Sequence, residues 1–167
     1  MKDGFTIRRT TDTDVRAVLQ IYAGARGFMR ENGNPQQWGD DYPPLEAVLL
    51  DASAEGQGFV CEQNNEVVAA FCFYTGDEPD YAVIDGAWLN DGPYGSMHRL
   101  AVRQGGEGVG GFCLSWAFEQ CGNLKVDTHR DNAPMQRLLE KLGFSRCGIV
   151  WIRGGEERIA FQKTDFS

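Results

Sequence analysis

The sequence predicts a mixed α/β (α+β) fold, a central sheet with helices on its faces. Two observations carry this reading. Apolar residues recur at helical spacing in some segments and run or alternate in shorter ones, giving the order β-α-α-β-β-β-α-β-α-β-β. Clusters of Gly, Pro, Asn and Asp separate these segments without a linker or repeat, and 167 residues suit one domain, 1–167, with one substantial core.

The elements follow in order. "TTDTDVRAVLQIYAGARGFMREN" reads as a helix that Thr11 caps, with Asp14 three residues on. Val15, Val18, Leu19, Tyr22, Ala25 and Met29 form its buried face. "GNPQQWGDDYPP" ends it, and "PPLEAVLLDASAEG" starts a shorter helix on proline. "GFVCEQ", "NN" and "EVVAAFCFY" make an antiparallel hairpin. "TGDEPDYAVIDGAWLNDGPYG" reads as a long functional loop, too polar for core. "SMHRLAV" is a strand, "GVGGFCLSWAFEQC" a helix, "NLKVDTH" a strand and "NAPMQRLLEKL" a helix stopped by Gly143. "FSRCGIVWI", "RGGE" and "ERIAFQK" close the chain as a hairpin.

A formal net charge of −8 argues against nucleic acid and suits a cationic partner such as an amine. No apolar run reaches the roughly 18–20 residues of a membrane span, and the charged N-terminus lacks a signal-peptide core. The five widely spaced cysteines form no C-x-x-C pair, which fits a reduced, cytoplasmic protein. With two histidines in the chain and no helical His pair, a metal site is not expected.

The glycine-rich "VRQGGEGVGGFC" is the strongest local signal. A triphosphate P-loop would end in G-K-[ST], but here Gly110-Gly111-Phe112 stands there. Gly106-x-Gly108-x-x-Gly111 matches a dinucleotide fingerprint, with Asp127 at the end of the next strand where a ribose-binding acid would lie. Against it, Arg103, Gln104 and Gly105 intervene between strand and first glycine, and the closing hairpin is antiparallel. The loop also suits a pyrophosphate cradle of the coenzyme A type, in which backbone N–H groups and a helix N-terminus meet the diphosphate. A purely structural turn is the remaining alternative.

The flanks point to one of these. "HRLAV", the glycine loop with its helix, and "VDTHRDNAPMQRLLEKLGF" resemble the GNAT (Gcn5-related) N-acetyltransferase superfamily. The element order matches from about Thr6 to Lys163. Gly108 and Gly110 fall on the last two glycine positions of the family's R/Q-x-x-G-x-G/A signature, and Asn132 through Gly143-Phe144 resembles its second motif. Two positions depart: Gly105 stands for the signature's Arg/Gln, and Glu107 for its basic residue. Glu107 is expected to point outward and favour the helix N-terminus.

The resemblance implies a mostly antiparallel sheet and direct attack of a primary amine on acetyl-CoA in a ternary complex. Leu100, Ala101 and Val102 would bind the pantetheine arm and the thioester oxygen. Gly106, Glu107, Gly108, Val109, Gly110 and Gly111 would cradle the diphosphate, and Asn132 and Met135 would line the cleft. Leu139 occupies the position where the family often has a tyrosine acid. A thiol of pKa about 8.5 can leave unprotonated, whereas an alkylamine of pKa about 10.4 needs a base at neutral pH. His98 and His129 are the candidates. Alternation would put His98 on one strand face with Ser96, Leu100 and Val102. His129 ends the next strand, where it could instead cap the helix at Asn132, and a water-mediated or absent base stays open. Trp38, Trp88 and Tyr94 are expected to line the acceptor pocket, or else to plug the core edge. The partner would be a small-molecule or peptide amine, with a homodimer also open. A non-catalytic CoA-binding sensor or interaction domain is the competing function.

Overall fold

A computed structural model describes residues 4–104 and 107–165. The strands are β1 (Phe5–Arg9), β2 (Gly58–Gln63), β3 (Glu66–Thr75), β4 (Asp85–Gly86), β5 (Gly95–Val102), β6 (Asn123–Thr128), β7 (Ser145–Ile152) and β8 (Glu156–Thr164). The helices are α1 (Val15–Glu31), α2 (Leu45–Asp51), α3 (Val109–Cys121) and α4 (Ala133–Lys141). The strands form one sheet in the order β1-β2-β3-β5-β6-β8-β7-β4, antiparallel throughout except between β5 and β6.

Local chemistry explains most of these elements. The backbone N–H of Thr11 donates to Asp14 Oδ2 at 2.8 Å, fixing a short 3-10 turn that leads into α1. Asn64 and Asn65, both at positive φ, make the two-residue turn between β2 and β3. The side-chain carbonyl of Asn132 accepts from Met135 N–H at 3.2 Å and caps α4. One core layer packs α3 and α4 against the sheet through Phe71, Met97, Leu114, Leu124, Leu139 and Phe161. The other packs α1 and α2 on the opposite face through Tyr22, Val48, Val60, Ala70 and Ala101.

Two expectations are corrected. The segment between β3 and β5 is not a wet loop. Tyr81 within it is 2 % exposed and packs on Val150, Ile152 and Ala160. The segment also contributes the extra short strand β4, which pairs with β7. Glycine makes that pairing possible, because a Cβ on Gly148 would stand 2.1 Å from the Asp85 carbonyl oxygen. The second correction concerns β5. Arg99 sits at φ 57, and the register with β3 slips between Ala70 and Cys72. This bulge reverses the alternation. Leu100 and Val102 therefore pack with Met97 toward α3 and α4, while His98 lies against Tyr74 and Tyr81. His98 does not share a face with Leu100 and Val102.

Candidate active site where two parallel strands part

The parallel strands β5 and β6 pair only at Gly95↔Leu124 and Ser96↔Lys125. Beyond Ser96 they separate, so the backbone of β5 from Met97 onward faces a gap instead of a neighbouring strand. Two hollows open along this gap, of about 350 and 280 Å³. Met29, Leu100, Asn132 and Met135 border both, so the hollows meet.

The smaller hollow is an apolar cleft. Leu100, Ala101, Val102, Gly110, Pro134 and Leu138 line it, with Arg103 and Gln104 at one end. That end lies at the start of α3. Gly108 takes φ +77 there, and Phe112 N–H makes the first helical bond, to the Gly108 carbonyl. The N–H groups of Val109, Gly110 and Gly111 precede that bond and lack intrahelical acceptors. They offer donors and the positive end of a helix dipole to an anion. Gly110 also lets α3 approach α4, since a Cβ there would stand 3.3 Å from Leu138. Glu107 is exposed, and Gly106 lies outside the described residues. The cleft can take an extended chain ending in an anionic group.

The larger hollow is a charged cavity with His98 in its wall, beside Tyr74, Glu78, Asp80 and Asp127. Tyr74 donates its phenolic proton to Glu78 Oε2 at 2.8 Å. Its oxygen then faces His98 Nε2 at 3.3 Å as an acceptor, which assigns the ring proton to Nε2 and leaves the lone pair on Nδ1. Glu78 Oε1 stands 3.9 Å from the same nitrogen. Burial holds the His98 pKa below its ordinary 6.5, with Asp127 and Glu78 opposing that fall. The imidazole is thus neutral at pH 7 and can accept a proton. Tyr81 donates to Asp127 Oδ2 at 2.6 Å and fixes that carboxylate. The Arg99 guanidinium, carried by the bulge, pairs with Asp51.

The other sequence candidates fall in different places. Trp38 lines the charged cavity, edge-on to Tyr22. Trp88 and Tyr94 instead border a third hollow, where they flank the Lys125 ammonium at 4.1 and 3.7 Å. Tyr94 also accepts from Glu78 N–H at 2.8 Å, which positions the carboxylate's backbone. His129 borders neither the cleft nor the cavity. Its Nδ1 accepts from Asp131 N–H at 3.0 Å and its carbonyl from Asn132 N–H at 2.9 Å, so it shapes the turn into α4. Burial and the nearby Arg158 lower its pKa. Leu139 is fully buried in the core. Asp127, the proposed ribose acid of the dinucleotide reading, is engaged by Tyr81, and the antiparallel sheet is not a doubly wound one.

Sequence reasoning missed Tyr74, Glu78, Tyr81 and Gln37. The Gln37 carbonyl accepts from Arg158 at 2.9 Å and Arg153 at 3.3 Å, which ties the segment between α1 and α2 to the β7–β8 hairpin. Among the described residues, no cluster of His, Cys, Asp and Glu could hold a metal ion, and no helix is long and apolar enough to cross a membrane.

A sheet parted at one parallel pair thus leaves two joined hollows, one beside a helix N-terminus and one beside a neutral imidazole, with room for two ligands side by side. Residues 19–144 match the acetyltransferase (GNAT) family. The chain belongs to that family and is an acyltransferase. It is similar to an acetyltransferase of the GNAT family from Streptococcus agalactiae, with 27 % identity, a TM-score of 0.88, and coverage of 98 % of this chain and 97 % of that one. The fold also matches the yncA protein of Salmonella typhimurium, solved with its cofactor acetyl-CoA (20 % identity, TM-score 0.64, 98 % and 96 % covered). A third match is the ribosomal-protein-alanine N-acetyltransferase of Brucella melitensis (21 % identity, TM-score 0.64, 95 % and 99 % covered). No protein of curated function matches the sequence.

Proposed function

We propose that the protein is an N-acetyltransferase that moves the acetyl group of acetyl-CoA to a primary amine by direct attack in a ternary complex. The meeting of an apolar cleft and a charged cavity at Leu100, Asn132 and Met135 carries this reading. The residues fit the donor. The open edge of β5 around Leu100–Val102 suits the amide-bearing pantetheine arm, and the first turn of α3 suits a diphosphate. Acetyl-CoA supplies the activated thioester. A backbone N–H of β5 held at its oxygen would be worth about 3–4 kcal/mol.

The acceptor side suits a cation. Asp51, Glu78, Asp80 and Asp127 share the cavity wall with Arg99, Arg153 and Arg158. Arg99 is held by Asp51 and the other two by Glu156, so the side beside His98, Glu78 and Asp80 favours an ammonium. An alkylamine of pKa about 10.4 must lose its proton before it attacks, at a cost of about 4–5 kcal/mol at pH 7. His98, neutral and with its lone pair on Nδ1, takes that proton. Glu78 and Asp127 then stabilise the imidazolium. The amine nitrogen bonds to the acetyl carbon, and the carbon–sulfur bond breaks with its electron pair on sulfur. The second proton of the attacking nitrogen passes to the departing thiolate or to water, so no side-chain acid is needed. Leu139 in the core is therefore no obstacle.

Calorimetric titration with acetyl-CoA, beside NADH and NADPH, tests the donor, and thiol release across a panel of amines tests the reaction. Micromolar binding of acetyl-CoA alone, followed by amine-dependent thiol release, is expected. Binding without thiol release from any amine would favour a sensor. Absence of acetyl-CoA binding would overturn the assignment.

A further inference from the structure

Three side-chain amides form a chain from the start of α4 into the segment after α1, and each fixes the orientation of the next. Met135 N–H donates to Asn132 Oδ1 at 3.2 Å, so the other end of that amide is Nδ2. Asn132 Nδ2 donates to Gln37 at 2.9 Å, which requires Gln37 to present Oε1. Asn34 reaches the same Oε1 at 2.8 Å and must do so with Nδ2. Neither amide can flip without setting donor against donor or acceptor against acceptor. Asn34 Oδ1 is left at the end of this chain. Asn34 is 2 % exposed, it lines the apolar cleft, and its Oδ1 has no hydrogen-bond partner among the described residues. A buried carbonyl oxygen without a donor costs free energy, so a ligand that brings an N–H to it is favoured.

We propose that Asn34 binds the pantetheine arm of the acyl donor by accepting a hydrogen bond from one of its amide N–H groups. This rests on the acetyl-CoA reading above and adds a residue from the segment after α1 to a donor site otherwise built by β5, α3 and α4. Asn34 is a recognition element for the arm. Gln37, which touches Asn34 and Asn132 together, is the positioning residue that aims it.

The test is calorimetric titration of the full chain with CoA and with adenosine 3′,5′-bisphosphate, which lacks the arm. Asn34→Ala should weaken CoA about five- to tenfold and leave the bisphosphate unchanged, which also reports that the variant is folded. Gln37→Leu should weaken CoA by about two- to threefold with the same indifference to the bisphosphate. A CoA analogue with an arm amide N–H replaced by an ester oxygen should bind the native protein less tightly than CoA, for one of the two amides. It should bind Asn34→Ala as tightly as CoA does. Equal loss of CoA and bisphosphate, an unchanged CoA affinity, or an ester penalty that persists in Asn34→Ala would each overturn the proposal. If native protein binds CoA and the variants bind it equally well, only the Asn34 assignment fails. If native protein does not bind CoA, the function proposed above fails with it.

Discussion

The cleft between β5 and α4 takes most of its wall from residues 100–104 with Gly110 and from residues within 132–138, with α1 closing the side. The cavity around His98 is assembled from residues as far apart as Gln37, Glu78, Asp127 and Arg158. The first is apolar and backbone-rich and suits a ligand of fixed chemistry. The second is charged, and its groups restrain one another in pairs: Tyr74 with Glu78, Tyr81 with Asp127, Arg99 with Asp51. On the proposed reading, donor recognition rests mostly on two local stretches with Asn34 added from a distant one, while acceptor chemistry depends on packing among distant segments. Substitutions confined to the cleft should change CoA affinity, and substitutions around His98 should change turnover and acceptor KM. Gln37, which borders the cavity but aims Asn34 in the cleft, is the exception.

The largest separation of the two should come from His98→Ala. Loss of a general base is expected to lower kcat about 10²–10⁴-fold at pH 7, with CoA affinity unchanged. Burial holds the imidazole below its ordinary 6.5, so the acid limb it imposes on kcat/KM lies below pH 6.5 and the base form prevails above it. Above neutrality the amine itself increasingly deprotonates, so the variant's deficit should shrink by pH 9. A small loss independent of pH would remove His98 from the reaction.

Tyr81→Phe should come next. It deletes the bond to Asp127 and leaves that half-buried carboxylate with the Arg158 guanidinium at 4.0 Å beside it. A loss of about 2 kcal/mol is expected, which lowers Tm by roughly 4–8 °C for a chain of this size. The acceptor KM should rise while CoA affinity holds. An unchanged Tm in a differential scanning measurement would mean that Asp127 finds other partners.

The contrast between the hollows also sets how far the sequence could be read. Hydrophobic spacing and turn residues gave the helices, the hairpins and their order, because these are local patterns. The glycine loop and Asn132 pointed toward the apolar cleft for the same reason, and Gly110 and Asn132 line it. Nothing in "SMHRLAV" announces that Arg99 adopts φ 57, so strict alternation put His98 on the wrong face. "EPDY" looks like polar loop until β4 pins the segment to β7 and Tyr81 turns inward. Trp88 and Tyr94 look like pocket aromatics, yet they enclose Lys125, a partner more than thirty residues further along that reaches them once β6 pairs with β5. Trp38 alone among the three aromatics reaches the cavity.

Gly108→Ala probes the cleft. A Cβ at this position meets nothing within 4 Å, so the cost arises from φ +77 and not from a clash. About 1–2 kcal/mol per residue is the penalty for that conformation. CoA should bind roughly five- to tenfold more weakly as the first turn of α3 relaxes, with acceptor KM unchanged. Gly108→Asn, which tolerates positive φ, should recover part of the loss. A variant that alters acceptor KM as much as CoA affinity would break the division between the hollows.

The smallest effect belongs to Glu107→Gln. Glu107 is exposed one residue before the Gly108 cap, and its charge stabilises the helix end while opposing any anion bound there. Both interactions run through water, where charges several ångströms apart exchange roughly half a kcal/mol. Removing the carboxylate should therefore tighten CoA by about two- to threefold at low salt. The gain should vanish near 1 M salt, where the Debye length is about 3 Å. A gain that survives high salt would show a direct contact between Glu107 and the donor, and a loss of affinity would show that the carboxylate orders the loop. In either case the acceptor KM should not move, because Glu107 is exposed and borders neither the cleft nor the cavity that holds His98.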